Sequence, residues 1–298
     1  MILEQYARDV VPTKRGAAVE SYRINTLLRD PLSSSRLAGL TGAVMAKWRD
    51  SRLLAGAKGS TVNRELNVLS AAMNWARRDL GIAFENPIAD IRRPKNPNPR
   101  DRRLHPGEWE LIERALSSVD GHELNVDGKH YRVGTRNELM KPVVQIALET
   151  AMRRSEIVAL RWEDVDLSAA TATCPLTKNG KRRVVPLSSV AVTVLRSISR
   201  DGPRVFPVTE GAVKLCWRRA IARGRKIYKA ECTASGVEED HRILYDLTFH
   251  DLRHEATSRL AERLPNVIEL AAVTGHEDLK MLKRYYHPRP SDLAKKLG

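Results

Sequence analysis

The spacing of apolar residues predicts helices through the first ninety residues. Between Ser60 and Leu80, apolar side chains recur at intervals of three and four, which places them on one face of a helix. Gly81 follows as a stop signal. Ala17–Leu28 and the segment from Thr41 to Ser51 indicate two further helices. We therefore expect residues 1–92 to form a small helical bundle. The predicted buried face of the third helix consists of Val62, Leu66, Leu69, Met73, Ala76 and Leu80.

Helical spacing returns after residue 104 and continues almost to the C-terminus. Leu104 is expected to open a second domain, with Pro106 at the first position of its first helix, where proline is favoured. A short helix capped by Ser155 is expected to run to Arg161. The other predicted helices are Met140–Met152, Val190–Ile198, Gly211–Arg223, Asp251–Leu264, Asn266–Val273 and Leu279–Tyr286.

Two segments have the pattern of β-hairpins. Within residues 171–187, two β-like runs flank Asn179-Gly180, a dipeptide that favours a type I′ turn and places Lys178 at its tip. A second hairpin is plausible around Asp127-Gly128, within residues 117–136. Residues 224–245 are interpreted as a long loop or an added element. The predicted fold class is mainly α: a helical bundle, then a mostly helical domain with a small hairpin sheet.

A basic, proline-rich segment separates the two helical regions. Its prolines favour extended backbone, so residues 93–103 are predicted to be a linker, followed by a second domain over residues 104–298. A run this basic repels itself unless an anion lies near, which favours contact with DNA over a free tether. The candidate DNA-binding residues here are Arg92, Arg93, Lys95, Arg100, Arg102 and Arg103.

Charge and composition narrow the class of partner. The 51 Lys and Arg residues exceed the 36 Asp and Glu residues by 15, which favours a polyanion. No apolar run approaches the ~20 residues that a bilayer span requires, so we expect a cytoplasmic, nucleoid-associated protein with no membrane partner. The three cysteines are widely spaced and fit neither a disulfide framework nor a zinc site: Cys174, Cys216 and Cys232.

Residues suited to phosphodiester chemistry occur in four separate segments. Arginine donates paired hydrogen bonds to phosphate oxygens, and a tyrosine surrounded by cations can act as a nucleophile. The candidate catalytic residues are Arg153, Lys178, His250, Arg253, His276 and Tyr285. His254, four residues after His250, also suggests a zinc-protease helix. Asp251 replaces the required glutamate, and Arg253 would oppose a bound cation, so that alternative is disfavoured.

These segments resemble the motifs of the tyrosine recombinase (phage integrase) family. Residues 149–156 resemble its first-arginine segment, with Ala151 where glycine is usual, and residues 177–187 resemble its lysine-bearing hairpin. His250-Asp251-Leu252-Arg253-His254 resembles the second motif. Gly275-His276-Glu277 resembles the third, and Tyr285 follows the histidine by the family's interval of nine residues. Within the family, the amino-acid sequences of these segments most resemble those of shufflon-type DNA invertases.

The resemblance implies both a fold and a set of roles. The fold is that of the DNA breaking-rejoining enzymes, with a SAM-like core-binding domain before the catalytic domain. Tyr285 would be the nucleophile, Glu156 would orient Arg153, and Lys178 would protonate the leaving oxygen. Further DNA contacts are expected from Arg154, Lys181 and Arg182. The resemblance implies no metal or cofactor, a 3′-phosphotyrosyl intermediate on duplex DNA with specific recombination sites, and assembly into a tetramer on that DNA.

Two other functions fit parts of the same pattern. A type IB topoisomerase-like enzyme has related active-site chemistry, but a separate N-terminal core-binding module favours recombination. A non-catalytic DNA-binding accessory protein would use the fold alone, but the complete set of catalytic residue types argues against it. We therefore expect a site-specific DNA recombinase that acts as an integrase or invertase.

Overall fold

The computed structural model describes residues 2–98, 100–117, 123–126, 129–132, 134–175, 182–286 and 297. The chain divides into two compact units, Met1–Pro99 and Arg100–Gly298. The first unit is helical, and the second combines helices with short antiparallel strands. The predicted mainly α fold class is confirmed.

The first unit packs around one long helix. Its helices are α1 (Ile2–Asp9), α2 (Ala17–Leu28), α3 (Gly42–Leu54) and α4 (Gly59–Asp79). The predicted apolar face of α4 is buried from Val62 to Ala76. Leu80 is 38% exposed because the helix ends at Asp79, so its assignment to the buried face was wrong. At the start of α3, the Thr41 side chain accepts a hydrogen bond from the Val44 amide.

Residues 92–96 lie along the first unit. The Asn63 side-chain amide donates to the Pro94 carbonyl at 2.8 Å, and Arg49 Nη1 donates to the Arg92 carbonyl at 2.6 Å. A Cβ atom at Gly59 would lie 2.4 Å from the Lys95 carbonyl oxygen, so glycine at that position permits the close approach of the segment. The side chains of Arg92, Arg93 and Lys95 remain exposed.

The second unit alternates helices with short strands. Its helices are α5 (Glu108–Leu116), α6 (Met140–Thr150), α7 (Arg154–Ala159), α8 (Ser189–Arg196), α9 (Glu210–Ser235), α10 (Asp251–Arg263) and α11 (Val267–Thr274). Its strands are β1 (Glu123–Val126), β2 (Lys129–Arg132), β3 (Val165–Asp166), β4 (Thr171–Cys174) and β5 (Arg183–Pro186).

Both predicted hairpins are present as antiparallel strand pairs. Strand β1 pairs with β2, and the three-stranded sheet has the order β3-β4-β5. In the larger sheet, Ala172 and Val185 are opposite each other and both are fully buried. This alternation places one face of the sheet against the main core of the unit. The Asn179-Gly180 and Asp127-Gly128 turns lie outside the described residues.

Three predicted helix boundaries were wrong for local reasons. Helix α5 begins at Glu108, whose carboxylate accepts the His105 amide at 2.7 Å, so Pro106 lies outside it. Helix α7 begins one residue before Ser155, because the Glu156 carboxylate caps the Arg153 amide at 2.8 Å. Residues 279–286 form two 3-10 turns, Leu279–Met281 and Lys283–Tyr285, in place of one α-helix.

Helix α9 continues past the point where the sequence predicted its end. The helix contains Gly224, which we interpreted as the start of a loop, and runs on to Ser235. A Cβ at Gly224 would lie 2.6 Å from the Leu244 side chain, so the glycine allows close packing between this helix and the buried Leu244. Residues 224–235 are therefore helix, and only the remainder up to 245 is loop.

No helix within the described ranges is both long enough and apolar enough to cross a membrane.

The two glycines of α9 provide a test of this packing. Glycine to alanine ordinarily stabilises a helix interior by roughly 0.5–1 kcal/mol. We expect Gly224→Ala to destabilise the protein by about 1–3 kcal/mol, because Leu244 is fully buried and adopts a positive φ of 54°, which limits its movement. Urea denaturation followed by circular dichroism measures this change.

Gly211→Ala is the matched control, since its Cβ would meet nothing closer than 3.9 Å. That variant should be as stable as the wild type or slightly more stable. Equal stability of the two alanine variants would contradict the packing role of Gly224.

Candidate functional site

The first candidate arginine lies directly after a strained turn. Helix α6 ends at Thr150, and Ala151 adopts a left-handed conformation with a φ of 52°. Such a conformation costs a non-glycine residue roughly 1 kcal/mol, which explains why glycine is usual in this motif. The turn reverses the chain, so that Arg153 stands at the N-terminus of α7.

Glu156 holds two arginines from different segments. Its carboxylate accepts Arg153 Nη1 at 2.7 Å and Arg183 Nη2 at 2.6 Å, and all but 7% of the residue is buried. Burial alone would raise the pKa of this carboxyl, but Arg183 and the hydrogen bonds from Arg153 outweigh burial and hold the pKa below its usual value. The ionised carboxylate thus fixes the orientation of Arg153, as the resemblance implied.

Arg183 also holds the loop that carries His276. Its Nη1 donates to the Val273 carbonyl at 2.5 Å, and the residue is 8% exposed. Gly275 ends α11 with a φ of 70°, and a Cβ there would lie 3.0 Å from the Arg183 side chain. Glycine is therefore required here for conformation and for space.

Arg253 links the first and third motifs through hydrogen bonds to their backbone carbonyls. Its Nη1 donates to the Ala151 carbonyl, and its Nη2 donates to the Thr274 carbonyl at 2.6 Å. Burial, followed by the charges of Arg153 and Arg183, lowers the pKa of Arg253 to about 10, so it remains charged at neutral pH. A guanidinium has five N–H groups, and donors remain after these two carbonyl contacts.

His276 has a defined tautomer in its neutral form. Its Nδ1 lies 2.7 Å from Thr274 Oγ1, and that hydroxyl gives its own proton to the Leu270 carbonyl at 2.6 Å. Nδ1 must therefore donate, which leaves Nε2 as the acceptor. Burial, followed by the charges of Arg253 and Arg153, lowers the pKa of His276 to about 4.

His250 immediately precedes α10, at the N-terminal end of the helix that carries Arg253. Although its side chain is exposed, partial burial and then the charge of Arg253 lower the pKa of His250. Its ring meets that of His254 edge-on, with centroids 5.1 Å apart. Both rings therefore line one side of α10.

Tyr285 presents its hydroxyl to the same end of α10. The Oη atom lies 2.5 Å from His254 Nδ1 and 3.3 Å from Arg284 Nη2. The charge of Arg284 lowers the pKa of both His250 and His276, and the negative form of Tyr285 would raise the pKa of Arg253. The hydroxyl of the candidate nucleophile thus contacts one imidazole and one guanidinium, those of His254 and Arg284. Tyr286 instead donates to the Leu264 carbonyl at 2.5 Å.

The remaining predicted site residues are Lys178, Lys181, Arg182 and Arg154. Lys178 and Lys181 lie outside the described residues, and Arg182 is exposed beside β5. Arg154, from which a DNA contact is expected, pairs with Glu210 at 3.1 Å. A cleft of about 210 Å³ is lined by Arg153, Arg154, His250 and Arg253 among others.

Three of the linker arginines already have anionic partners within the second unit. Arg100 binds Asp251 at 2.9 Å and Asp246 at 2.7 Å, and Arg103 binds Glu255 at 3.1 Å. Arg102 binds Glu108. The anion that this basic run requires is thus supplied in part by protein carboxylates, which no local pattern in the sequence indicates. Asp251 and Glu255 belong to α10, so Arg100 and Arg103 anchor the helix that carries Arg253.

Sequence reasoning missed three residues that shape the site. Arg183 was absent from the candidates. It could have been identified as a charged residue at a buried position of the strand that follows the lysine-bearing turn. His254 was weighed only as a zinc ligand, and Arg284 was not weighed at all. Within the described ranges, no group of three or more histidine, cysteine, aspartate or glutamate residues could hold a metal ion.

Comparison with known proteins supports one family. Residues 129–292 match the phage integrase family. The chain is 37% identical to a shufflon-specific DNA recombinase of Escherichia coli, over 99% of this chain and 70% of that protein. It is 34% identical to a putative integrase/recombinase of Haemophilus influenzae, over 96% of this chain and 71% of the relative.

The chain belongs to the phage integrase family of site-specific tyrosine recombinases.

Solved structures share the fold of this recombinase. One is the Tn1549 transposon integrase in complex with a circular intermediate DNA, with a TM-score of 0.71 and 16% identity over 99% of this chain and 97% of that one. Another is a lambda integrase tetramer bound to a Holliday junction, with a TM-score of 0.66 and 19% identity over 93% of this chain and 76% of that one.

The buried Glu156 provides a test of how the site of the recombinase is held. Removing one partner of a buried ion pair leaves an uncompensated charge, so we expect Glu156→Gln to destabilise the protein by about 3 kcal/mol. Because the pKa of this carboxyl is lowered on folding, its contribution is present above the ordinary glutamate range and is lost as the pH falls through the folded-state value. Urea denaturation at pH 7 and in acid measures both effects.

Glu163→Gln is the matched control, because Glu163 pairs with Arg161 at an exposed position. It should leave the free energy of unfolding unchanged within measurement error. If the two variants are equally stable at pH 7, Glu156 does not hold the site together.

Proposed function

We propose that this recombinase cleaves one strand of duplex DNA by attack of Tyr285 on a phosphodiester. The Tyr285 Oη–P bond forms while the P–O5′ bond breaks, which leaves a 3′-phosphotyrosyl link and a free 5′ hydroxyl. The observation that carries the proposal is the position of the Tyr285 hydroxyl, 2.5 Å from His254 at the end of α10 where Arg253, His250 and Arg284 also lie. Rejoining is the reverse reaction with a 5′ hydroxyl from another strand.

Arg153 and Arg253 are proposed to bind the two non-bridging oxygens of the phosphate. Both guanidiniums are held by groups of the protein itself: Glu156 for the first, and two backbone carbonyls for the second. Preorganised donors of this kind stabilise the charge that develops on the pentacoordinate phosphate without reorganisation at the moment of reaction. Arg183 acts behind Arg153 as a positioning residue through Glu156.

His276 and His250 are proposed to complete the contacts to phosphate. The Thr274 contact fixes the Nδ1 side of His276, so Nε2 is the nitrogen left for the phosphate, and it donates to a phosphate oxygen once the ring is protonated. Lys178 is proposed as the general acid for the leaving 5′ oxygen, because the hairpin strands β4 and β5 flank it in the sequence.

The first unit is proposed to be the core-binding domain, and the second unit the catalytic domain. Arg92, Arg93 and Lys95 are exposed, so their charges are accessible to phosphates. Arg154, Lys181 and Arg182 are proposed as further DNA contacts near the site. For Arg100, Arg102 and Arg103, a DNA contact must compete with the carboxylates that already bind them.

DNA inversion between specific sites, by a tetramer assembled on duplex DNA, is the proposed reaction. The identity to a shufflon-specific recombinase supports inversion, and the likeness to a lambda integrase tetramer on a Holliday junction supports the assembly. Because DNA is the substrate, we place the enzyme in the cytoplasm at the nucleoid.

Tyr285→Phe should abolish the covalent protein–DNA adduct and leave DNA binding intact, because only the nucleophilic oxygen is removed. The adduct is measured on denaturing gels, with a duplex that the wild type selects from a randomised pool and that is nicked at successive positions. Tyr286→Phe is the matched control, since its hydroxyl bonds a backbone carbonyl, and it should retain adduct formation. An undiminished adduct in the Tyr285 variant would remove the proposed nucleophile.

Arg153→Ala should slow adduct formation by about 10²–10³, comparable to the loss of an oxyanion donor. Arg242→Ala is the control and should keep the wild-type rate, because Arg242 is an exposed arginine that pairs with Asp240. The rates are measured on the same nicked duplex at saturating protein. A normal rate in Arg153→Ala would contradict its role at the phosphate.

A further inference from the structure

Two residues outside the predicted catalytic set contact the Tyr285 hydroxyl. His254 Nδ1 lies 2.5 Å from Oη, and Arg284 Nη2 lies 3.3 Å from it. Arg284 Nη2 also lies 3.1 Å from His254 Nδ1. The hydroxyl, the imidazole nitrogen and the guanidinium thus form a closed triangle.

The guanidinium determines the tautomer of His254. Arginine has only N–H donors and no acceptor, so Arg284 Nη2 donates to the groups that it contacts. His254 Nδ1 must therefore carry a lone pair, and the proton of the neutral ring lies on Nε2.

The tautomer determines the direction of the hydrogen bond to tyrosine. Because Nδ1 is an acceptor, the contact at 2.5 Å is a donation from the Tyr285 hydroxyl to His254. Arg284 donates to the phenol oxygen from another side. The hydroxyl proton therefore already points at a base, while a fixed cation stands beside the oxygen that becomes negative.

The surroundings keep His254 in its neutral form. Burial, followed by the charges of Arg284 and His250, lowers the pKa of His254 to about 4. The ring is 9% exposed and lies almost parallel to the Tyr285 ring, with an interplanar angle of 26°. At neutral pH the acceptor form is thus the populated one, and water has little access to compete for the proton.

We propose that His254 is a catalytic residue that takes the proton of Tyr285 during attack on DNA, with Arg284 stabilising the phenolate. This proposal depends on the function proposed above, in which Tyr285 attacks a DNA phosphodiester. The Oη–H bond breaks as the Nδ1–H bond forms, the Oη–P bond forms, and the P–O5′ bond breaks. A separate acid, assigned to Lys178, protonates the leaving oxygen. On rejoining, the His254 imidazolium returns its proton to Oη.

The charges of the site account for the reversibility of this transfer. An imidazolium next to Arg284 is unfavourable by itself, and the negative charge of the bound phosphate offsets that cost only while DNA is present. His254 therefore acts as a base when substrate is bound and gives the proton back when the phosphotyrosyl bond is broken.

His254→Asn and His254→Ala test the proposal in the full-length chain. The asparagine side chain accepts the hydroxyl hydrogen bond but does not take up its proton, so it separates positioning from proton transfer. Both variants should form adduct about 10²–10⁴ times more slowly than the wild type on the nicked duplex at saturating protein. His241→Ala is the control, because His241 is an exposed histidine on the loop before α10.

The pH profile distinguishes a proton acceptor from a structural residue. Wild-type cleavage should be nearly independent of pH between 6 and 8 as far as His254 is concerned, because its neutral form is fully populated above its lowered pKa of about 4. In both variants the rate should rise about tenfold per pH unit, because the hydroxyl must first lose its proton to solvent.

Two chemical substitutions identify which proton is affected. Difluorotyrosine at position 285 is a more acidic phenol, and it should recover most of the rate lost in His254→Asn. A 5′-bridging phosphorothiolate in the DNA leaves without protonation, and it should recover none of that loss. Recovery by the phosphorothiolate alone would overturn the proposal by assigning His254 to the leaving group.

A wild-type rate and a flat pH profile in His254→Asn would also overturn the assignment of His254, while leaving the nucleophile in place. If His254→Ala does not fold, the asparagine variant and its fluorotyrosine derivative decide the question. A wild-type chain that binds the nicked duplex and forms no adduct would instead overturn the proposed function together with this inference.

Discussion

The buried carboxylate of Glu156 is the interaction on which the geometry of the site depends. It is the shared partner of Arg153 and Arg183, which come from separate segments of the second unit. Arg183 in turn holds the end of α11, and so the loop that positions His276. One carboxylate thereby sets the relative positions of three motifs. Its own desolvation is offset because both guanidiniums and the Arg153 amide bind it directly.

The site therefore has two layers of charge. The lower layer is the buried ion pair of Glu156 and Arg183, which gives rigidity. The upper layer is Arg153, which donates to Glu156, together with Arg253, which donates to backbone carbonyls, and Arg284, which contacts the Tyr285 hydroxyl. A cluster of guanidiniums repels itself, and the lowered pKa of Arg253 records that repulsion together with burial. Binding a phosphate relieves it, so the cost of assembling the cations is recovered when the substrate arrives.

Most of the architecture was predictable because its signals are local. Periodic apolar positions identified α2, α3 and α4, and a turn dipeptide identified each hairpin. The errors arose where another residue, either distant or adjacent in the sequence, overrides a local signal. A glycine usually marks a helix end. Gly224 instead lies inside a helix, because Leu244 occupies the space that a side chain at this position would fill. Ser155 is a good cap by type, yet Glu156 caps the Arg153 amide first.

The candidate site was predictable to a similar degree. Motif spacing identified the candidate catalytic residues, but not those that act through long-range contacts. Arg183 is 27 residues from Glu156, and Asp251 is 151 residues from Arg100, so neither pairing has a sequence signature. His254 was identified as a motif residue. Its proposed role depends on the orientation of Arg284, which the sequence does not indicate.

The 3-10 conformation around Tyr285 has a consequence for how this segment can change in evolution. Leu282, which is fully buried, and Tyr286, whose hydroxyl is bonded to Leu264, secure the backbone on either side of the proposed nucleophile. With about three residues per turn, one inserted or deleted residue between Leu282 and Tyr285 rotates the phenol by roughly 120° about the local axis. The exposed Lys283 can be exchanged, but the length of the segment cannot vary.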